Sequence, residues 1–248
     1  MAERKEMNAV LVRHTLSPEE LVSLGAKLCY SKSTISGLTE KISAQDQSAF
    51  IEKLLNMGHE SIFEHASFTF GIEGVSRVLL AQLTRHRLAS FSVQSQRYVS
   101  YENGFGYILP PRIEALGEEA VQRYTEQMEQ METWYREWQS LLGKGEKSNE
   151  DARFVLPNAC ETRVLLTMNV RELWHFFSLR MCNRAQWEIN ELAKRMHRLC
   201  IETAPALFAE AGPACLRGRC PEGEKTCGQV EAKRKERKEL LESLKKEI

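Results

Sequence analysis

The feature that most constrains this chain is the stretch from Leu116 to Leu142, which reads as one long helix. Val121, Tyr124, Met128, Met131, Tyr135, Trp138 and Leu142 recur at alternating three- and four-residue steps. That spacing places them on one seam of the coiled-coil kind. A seam of this length has to be covered, by the rest of the subunit or by another copy, so it is read as architecture rather than chemistry. Gly143-Lys144-Gly145 ends it, without the flanks of a phosphate loop. No glycine-rich strand-to-helix fingerprint is present, which disfavours a doubly wound fold.

The shorter elements are punctuated by capping and turn residues. Residues 8–13 read as a strand, and Ser17-Pro18-Glu19-Glu20 opens a helix with Ser17 as N-cap and Leu21, Leu24 and Leu28 inward. Residues 31–39 read as a polar loop, and a second helix is expected near Ser43, with Asp46 in its first turn and Phe50, Leu54 and Leu55 inward. Gly58 suits a left-handed helix end. Residues 67–73 alternate as a half-buried strand, and Val75, Val78, Leu79 and Leu83 then mark an apolar helix face. Ser148 with Asp151 is expected to cap a short helix that stops near Pro157. Residues 161–168 read as a buried strand, and Asn169 with Glu172 as a capping box opening a helix.

Bulk properties narrow the function classes. The chain has 248 residues, 42% hydrophobic and 27% charged, ordinary for a protein that buries a core. Its 34 basic and 34 acidic residues cancel, which counts against a dedicated nucleic-acid binder. No apolar run reaches membrane-spanning length, and the N-terminus lacks a secretory apolar region. Seven cysteines, an odd number, are then read as reduced thiols of a cytoplasmic protein.

Four polar clusters stand out. Arg85 to Tyr98, RHRLASFSVQSQRY, combines Arg85, Arg87 and Arg97 with His86 and three serines, in what reads as a Ser-rich loop at the end of a buried helix. Arginine forks and serine hydroxyls suit a phosphorylated ligand. Gly58 to His65, GHESIFEH, holds two histidines and two glutamates, but His59 and His65 stand six apart and HExxH is absent, so no metal site is expected. Arg153 precedes Phe154-Val155-Leu156-Pro157. Arg171, His175 and Arg180 interrupt an aromatic helix; Arg171 and His175 share a face, and charge among aromatics is costly unless paired or facing a ligand.

These clusters, in this order, resemble the flavin-dependent thymidylate synthases. The resemblance rests on RHR followed by Ser95 and Arg97, on GHES-x-FEH, on ARxxLP, and on NxR…LxxFxxLR…AQWEI from Asn169 to Ile189. It covers about residues 55–190. It implies a mixed α/β (α+β) fold with a central, mostly antiparallel sheet, flanking helices including the long one, and a homotetramer whose active sites are shared between subunits. The implied reaction is reductive methylation of dUMP to dTMP, with 5,10-methylenetetrahydrofolate as carbon donor and FAD, reduced by NADPH, as hydride donor. Carried over residue by residue, the dUMP contacts are Gln82, Leu83, Thr84, Arg85, Val93, Gln94, Ser95, Gln96, Arg97, Arg153 and Arg180. The FAD contacts are Ser61, Arg85, His86, Arg87, Val93, Asn169, Val170, Arg171 and His175, with His59 as an active-site neighbour. Arg180 is the catalytic residue, stabilising negative charge near N3 of the uracil. No cysteine nucleophile is implied, and Cys182, two after Arg180 on a helix, is expected to point away from it. Gln186 and Trp187 are expected to pack, along with Leu192, Met196 and Leu199. Arg184 stands where other members have His, His175 where some relatives have Asn, and Val93, where some carry a polar residue, would have to use its backbone.

Residues 1–212 are thus expected to form the synthase domain and 213–248 a charge-rich tail holding Cys215, Cys220 and Cys227. Three unevenly spaced cysteines make no zinc site unless a fourth ligand arrives from elsewhere. Leu240, Leu241, Leu244 and Ile248 give the tail a weak helical pattern. Two other readings compete: a nucleic-acid-binding module using RHR and the aromatics, and a non-catalytic assembly protein built on the long helix.

Overall fold

The computed structural model describes residues 2–247, with side chains described through residue 243. In chain order the elements begin with β1 (Glu3–Arg4), β2 (Asn8–His14), α1 (Pro18–Leu28), α2 (Ile35–Ser43), α3 (Ser48–Asn56) and β3 (Ser67–Ser76). They continue with α4 (Arg77–Leu83), β4 (Ala89–Val93), β5 (Gly106–Tyr107), α5 (Pro111–Glu114), α6 (Glu118–Leu142) and α7 (Glu146–Ala152). The last are β6 (Glu161–Asn169), α8 (Val170–Arg180), α9 (Trp187–Thr203), α10 (Pro205–Phe208) and α11 (Val230–Glu247).

The main sheet has four strands in the order β2-β3-β6-β4. Thr15 N–H bonds to Ser67 O at one end of the β2–β3 pair, and the Asn8 side chain reaches Glu73 at the other, so this pair is antiparallel. Gly74 with Glu161 and Thr69 with Thr167 fix β3 and β6 the same way. The fold is mixed α/β with an antiparallel sheet, as expected.

Contacts group the chain into two compact units. The first comprises residues 1–9, 71–85 and 91–166. Here β1 and β5 pair in parallel, Glu3 against Gly106 and Arg4 against Tyr107. Its core gathers Tyr101, Phe105, Tyr107, Met128, Tyr135, Ala152 and Cys160. Of the expected seam on α6, Met128 and Tyr135 are buried, whereas Trp138 and Leu142 lie about half exposed at 49% and 48%. Gly74 has φ +64°, and a Cβ there would lie 1.9 Å from Glu6 O, so only glycine fits this crossing.

The second unit comprises residues 10–70, 86–90 and 167–248. Helices α1, α2 and α3 pack together, and α8, α9 and α10 form a second helical group. Phe68 and Phe177 both meet Phe208 edge-on, at 5.2 and 6.2 Å between ring centres. Trp174 Nε1–H donates to Leu207 O at 2.8 Å. Among the described residues, no helix is long and apolar enough to cross a membrane.

Several expectations are corrected. The 31–39 loop instead leads into α2, because Thr34 accepts from Gly37 N–H and Leu38 and Ile42, four apart, bury together. The next helix starts at Ser48 rather than near Ser43: Asp46 lies before it and accepts from Ser48 N–H at 3.3 Å. Ser17 sits at the N-cap of α1 but in a left-handed conformation, φ 44°, with no side-chain cap bond. Ser148 lies inside α7, whose N-cap is Gly145. The Ser-rich loop contains strand β4. Gln186 does not simply pack: its Oε1 accepts from Glu188 and Ile189 N–H and caps α9, and Trp187 is 41% exposed. The tail forms helix α11 with Leu240 and Leu241 half-buried; the Leu244 side chain and Ile248 lie outside the described residues.

Candidate active site

In the first unit, α4 ends at Leu83 and β4 ends at Val93, so two segments of the dUMP set follow element ends. Leu83 is fully buried, and the exposed Thr84 donates its Oγ1–H to Leu80 O at 3.0 Å. Arg85 is exposed. Gln94 N–H bonds to Arg163 O, and its carbonyl accepts from Arg77 Nη2 at 2.9 Å. Ser95 Oγ accepts from Arg97 N–H at 3.2 Å, and Gln96 Nε2 lies 3.5 Å from Cys160 Sγ.

Arg97 and Arg153 converge on α7. Arg97 pairs with Glu146 and, at 3.8 Å, with Glu150; Arg153 Nε donates to Glu150 O at 3.0 Å. The Arg97 backbone is pinned from beneath, its carbonyl accepting from Asn149 Nδ2 at 3.0 Å. Asn149 Oδ1 in turn accepts from Gln139 on α6, which also donates to Tyr135 Oη. The long helix thus holds the segment that carries Arg97. Exposed ion pairs such as Arg97–Glu146 are weak, so a phosphate can replace the carboxylate on the guanidinium fork.

The second unit holds His59, Ser61, His86, Arg87, Asn169, Val170, Arg171, His175 and Arg180. His86, 4% exposed, is engaged at both ring nitrogens. Arg180 Nε, which can only donate, lies 3.1 Å from His86 Nε2. Nε2 therefore carries the lone pair, and Nδ1–H donates to Glu172 Oε1 at 2.9 Å. Burial lowers the His86 pKa, and the Arg180 and His175 charges lower it further, against the raising effect of Glu172. The imidazole is held neutral in one tautomer. Both ring nitrogens of His86 are thus engaged within the chain. The capping box is corrected: Asn169 Oδ1 accepts Glu172 N–H, but the Glu172 carboxylate turns to His86.

Asn169 and Val170 serve the scaffold, Asn169 as the α8 cap and buried Val170 through a 2.9 Å bond from its N–H to Ala66 O. Arg171 and His175 are both exposed on α8, on the shared face that their spacing predicts. Arg171 pairs with Glu64 and, at 3.5 Å, with Glu60. It joins His59 and Ser61 in lining a cleft of about 890 Å³, with Lys27, Lys53, Tyr30, Phe50 and Met57. Arg87 is exposed.

A second cavity, about 300 Å³, is lined by Arg180 and Cys182 together with Cys215, Cys220 and Cys227. Because α8 ends at Arg180, Cys182 lies in the turn beyond it rather than on the helix, and both residues face this cavity. Among the described residues, no group of three or more His, Cys, Asp or Glu is placed to hold a metal ion.

A comparison with profiles of known families matches residues 10–206 to the family described as thymidylate synthase complementing protein. The chain belongs to this family. A flavin-dependent thymidylate synthase of Geobacter sulfurreducens is 51% identical over 225 residues, covering 90% of this chain and 95% of its own. One from Pyrococcus abyssi is 41% identical, covering 88% and 91%. Among solved structures, the UMP/dUMP methylase PolB from Streptomyces cacaoi, bound with 5-Br dUMP, superposes with a TM-score of 0.67 at 26% identity, covering 83% of this chain and 95% of its own.

Against that family background, the residues missed in the sequence are those whose importance is conferred by distant partners. Glu172 reads as a helix cap until His86, 86 positions earlier, is brought to it. Lys27 and Lys53 carry no motif and acquire meaning only as walls of the cleft with His59 and Arg171. Arg77 opens α4 like any helix-start residue, yet holds the carbonyl of Gln94.

Proposed function

We propose that this chain makes dTMP from dUMP by reductive methylation, with 5,10-methylenetetrahydrofolate as carbon donor, FAD as cofactor and NADPH as its reductant. The observation that carries the reading is the cleft of about 890 Å³ lined by His59, Ser61 and Arg171, three residues the sequence motifs single out. Its volume lies within the range of small-molecule sites. Its lining fits a flavin dinucleotide: Lys27, Lys53 and Arg171 would hold the charge of a pyrophosphate, and Tyr30, Phe50 and Met57 offer apolar and aromatic surface. The bound flavin supplies the hydride chemistry that no side chain can.

The protein's own contribution is binding and charge. Arg85, Ser95, Arg97 and Arg153 hold the nucleotide, the arginines taking its phosphate; Gln82, Val93, Gln94 and Gln96 support that segment. Arg180 lies beside the pyrimidine and stabilises charge developing at N3, which raises electron density at C5. The enzyme acts as a homotetramer with shared sites. Trp134, Trp138 and Leu141, spaced four and three apart on α6, are 45%, 49% and 77% exposed and offer an apolar face for a second copy. Residues 1–212 carry the activity, 213–248 are an appended tail, and the protein works in the cytoplasm.

The test is a visible spectrum of the purified protein with added FAD, followed by tritium release from [5-³H]dUMP. Flavin bands that bleach with NADPH and shift with dUMP are expected, and Arg180→Ala should keep the flavin while losing about 100–1000-fold in turnover. A colourless protein that binds neither FAD nor dUMP, or an Arg180→Ala variant that turns over normally, would overturn the reading.

A further inference from the structure

The chain Glu172–His86–Arg180 is more organised than a flavin contact or a helix cap requires. His86 and Glu172 side chains are only 3% and 5% exposed, and a buried carboxylate is costly unless it is hydrogen-bonded, as Glu172 is to His86 Nδ1–H. We propose that Glu172 and His86 are positioning residues that fix the orientation of Arg180: Glu172 selects the Nδ1–H tautomer, which leaves Nε2 to accept the Nε–H of Arg180. The proposal deepens the assignment of Arg180 to the pyrimidine and rests on it.

The geometry explains why each member has its residue type. A guanidinium is planar, so one bond at Nε sets the direction of its terminal nitrogens. A neutral imidazole, unlike an imidazolium, can accept that bond while donating from its other nitrogen. The other groups facing His86 are His175, with its ring centre 5.8 Å away, and the Phe176 ring edge-on at 5.0 Å. Glu172, His175 and Arg180 thus all reach His86 from α8. Protonating His86 would set N–H against N–H at Arg180 and release it.

Two variants separate orientation from folding. Glu172→Gln keeps an oxygen that accepts Nδ1–H, so the tautomer survives. Glu172→Ala removes it, and the imidazole can turn its other tautomer, with N–H at Nε2, toward Arg180. In the holoenzyme, kcat for dTMP formation should fall about a hundredfold in Glu172→Ala, the scale of a small misplacement of a catalytic group. KM for dUMP and flavin content should change little. Glu172→Gln should stay within about tenfold of the parent, because it exchanges a charge-assisted bond for a neutral one. Its acidic limb in the pH–kcat profile should move to lower pH, since loss of the carboxylate makes His86 harder to protonate; a role confined to packing would leave that limb in place.

A ¹⁵N spectrum of the holoenzyme, following the Arg180 Nε–H resonance, reads the contact without turnover. A protected, shifted resonance that collapses in His86→Ala and Glu172→Ala and persists in Glu172→Gln supports the proposal, even if the parent protein makes no dTMP and the assignment to dUMP fails. Unchanged kcat and pH limb in both Glu172 variants, or an Arg180 resonance indifferent to His86→Ala, would overturn it.

Discussion

Acid should destabilise this protein in part through a histidine that the proposed chemistry does not use. His197 on α9 is 2% exposed, faces the Phe177 ring at 5.1 Å, and its Nε2–H donates to Phe208 O at 3.2 Å. Burial pushes its pKa down from 6.5 to about 4, against the opposing pull of the Phe208 and Ala211 carbonyls. The sign follows from which state takes the proton. Below pH 6.5 the unfolded chain protonates His197 and the folded chain does not, so stability is lost as pH falls and the loss is complete near pH 4. At about 1.4 kcal/mol per pH unit the whole effect is about 3 kcal/mol, and about 2 kcal/mol of it appears between pH 7.5 and 5.0. His197→Gln removes the titration while keeping an N–H that can reach Phe208 O. Urea unfolding of the parent and variant at both pH values isolates the term as a difference of differences, which cancels the carboxylates common to both. The variant should lose about 2 kcal/mol less than the parent on acidification. Equal losses in the two proteins would refute the assignment.

Two further outcomes test the scaffold. Gly74→Ala, where the added methyl meets the Glu6 carbonyl at 1.9 Å, should cost roughly 2–5 kcal/mol in urea unfolding from left-handed strain and overpacking together; a cost under about 0.5 kcal/mol would mean the β3 crossing is misread. Thiol titration of the folded protein should label exposed Cys29 and Cys227 first and half-buried Cys182 and Cys220 more slowly, while Cys160, Cys200 and Cys215 wait for denaturant. Burial pushes the Cys160 thiol up to about 11, so prompt labelling there would contradict the first unit's core.

What the sequence made legible was whatever repeats along the chain. The α6 seam, the alternation of β3 and β6, and the Asn169 cap of α8 all leave local periods or end signals, and each is found within two or three residues of its expected bounds. Helix α2 was missed because only Leu38 and Ile42 anchor it, too few to form a period. Strand β4 hid inside the arginine-rich motif, with serines on alternate positions, and β1 and β5 are two residues each, too short for any pattern. The site divides the same way. Arg97, Arg171 and Arg180 announce themselves by residue type, but Glu172 is tied to His86 and Arg97 to Asn149 by contacts spanning 86 and 52 positions, and no local signal encodes those.

The interleaving of segments sets an order of events during synthesis. The unit built from residues 1–9, 71–85 and 91–166 has its whole sequence available once residue 166 has left the ribosome. Helices α1 to α3 belong to the other unit, and α3 finds its partner in α10, near the far end of the chain. The α3 face that α10 covers must therefore wait until about 150 more residues have been added. At 5–20 residues per second that is a delay of roughly 7–30 s, during which α1 to α3 can pack on one another while the α3 face that α10 covers stays open.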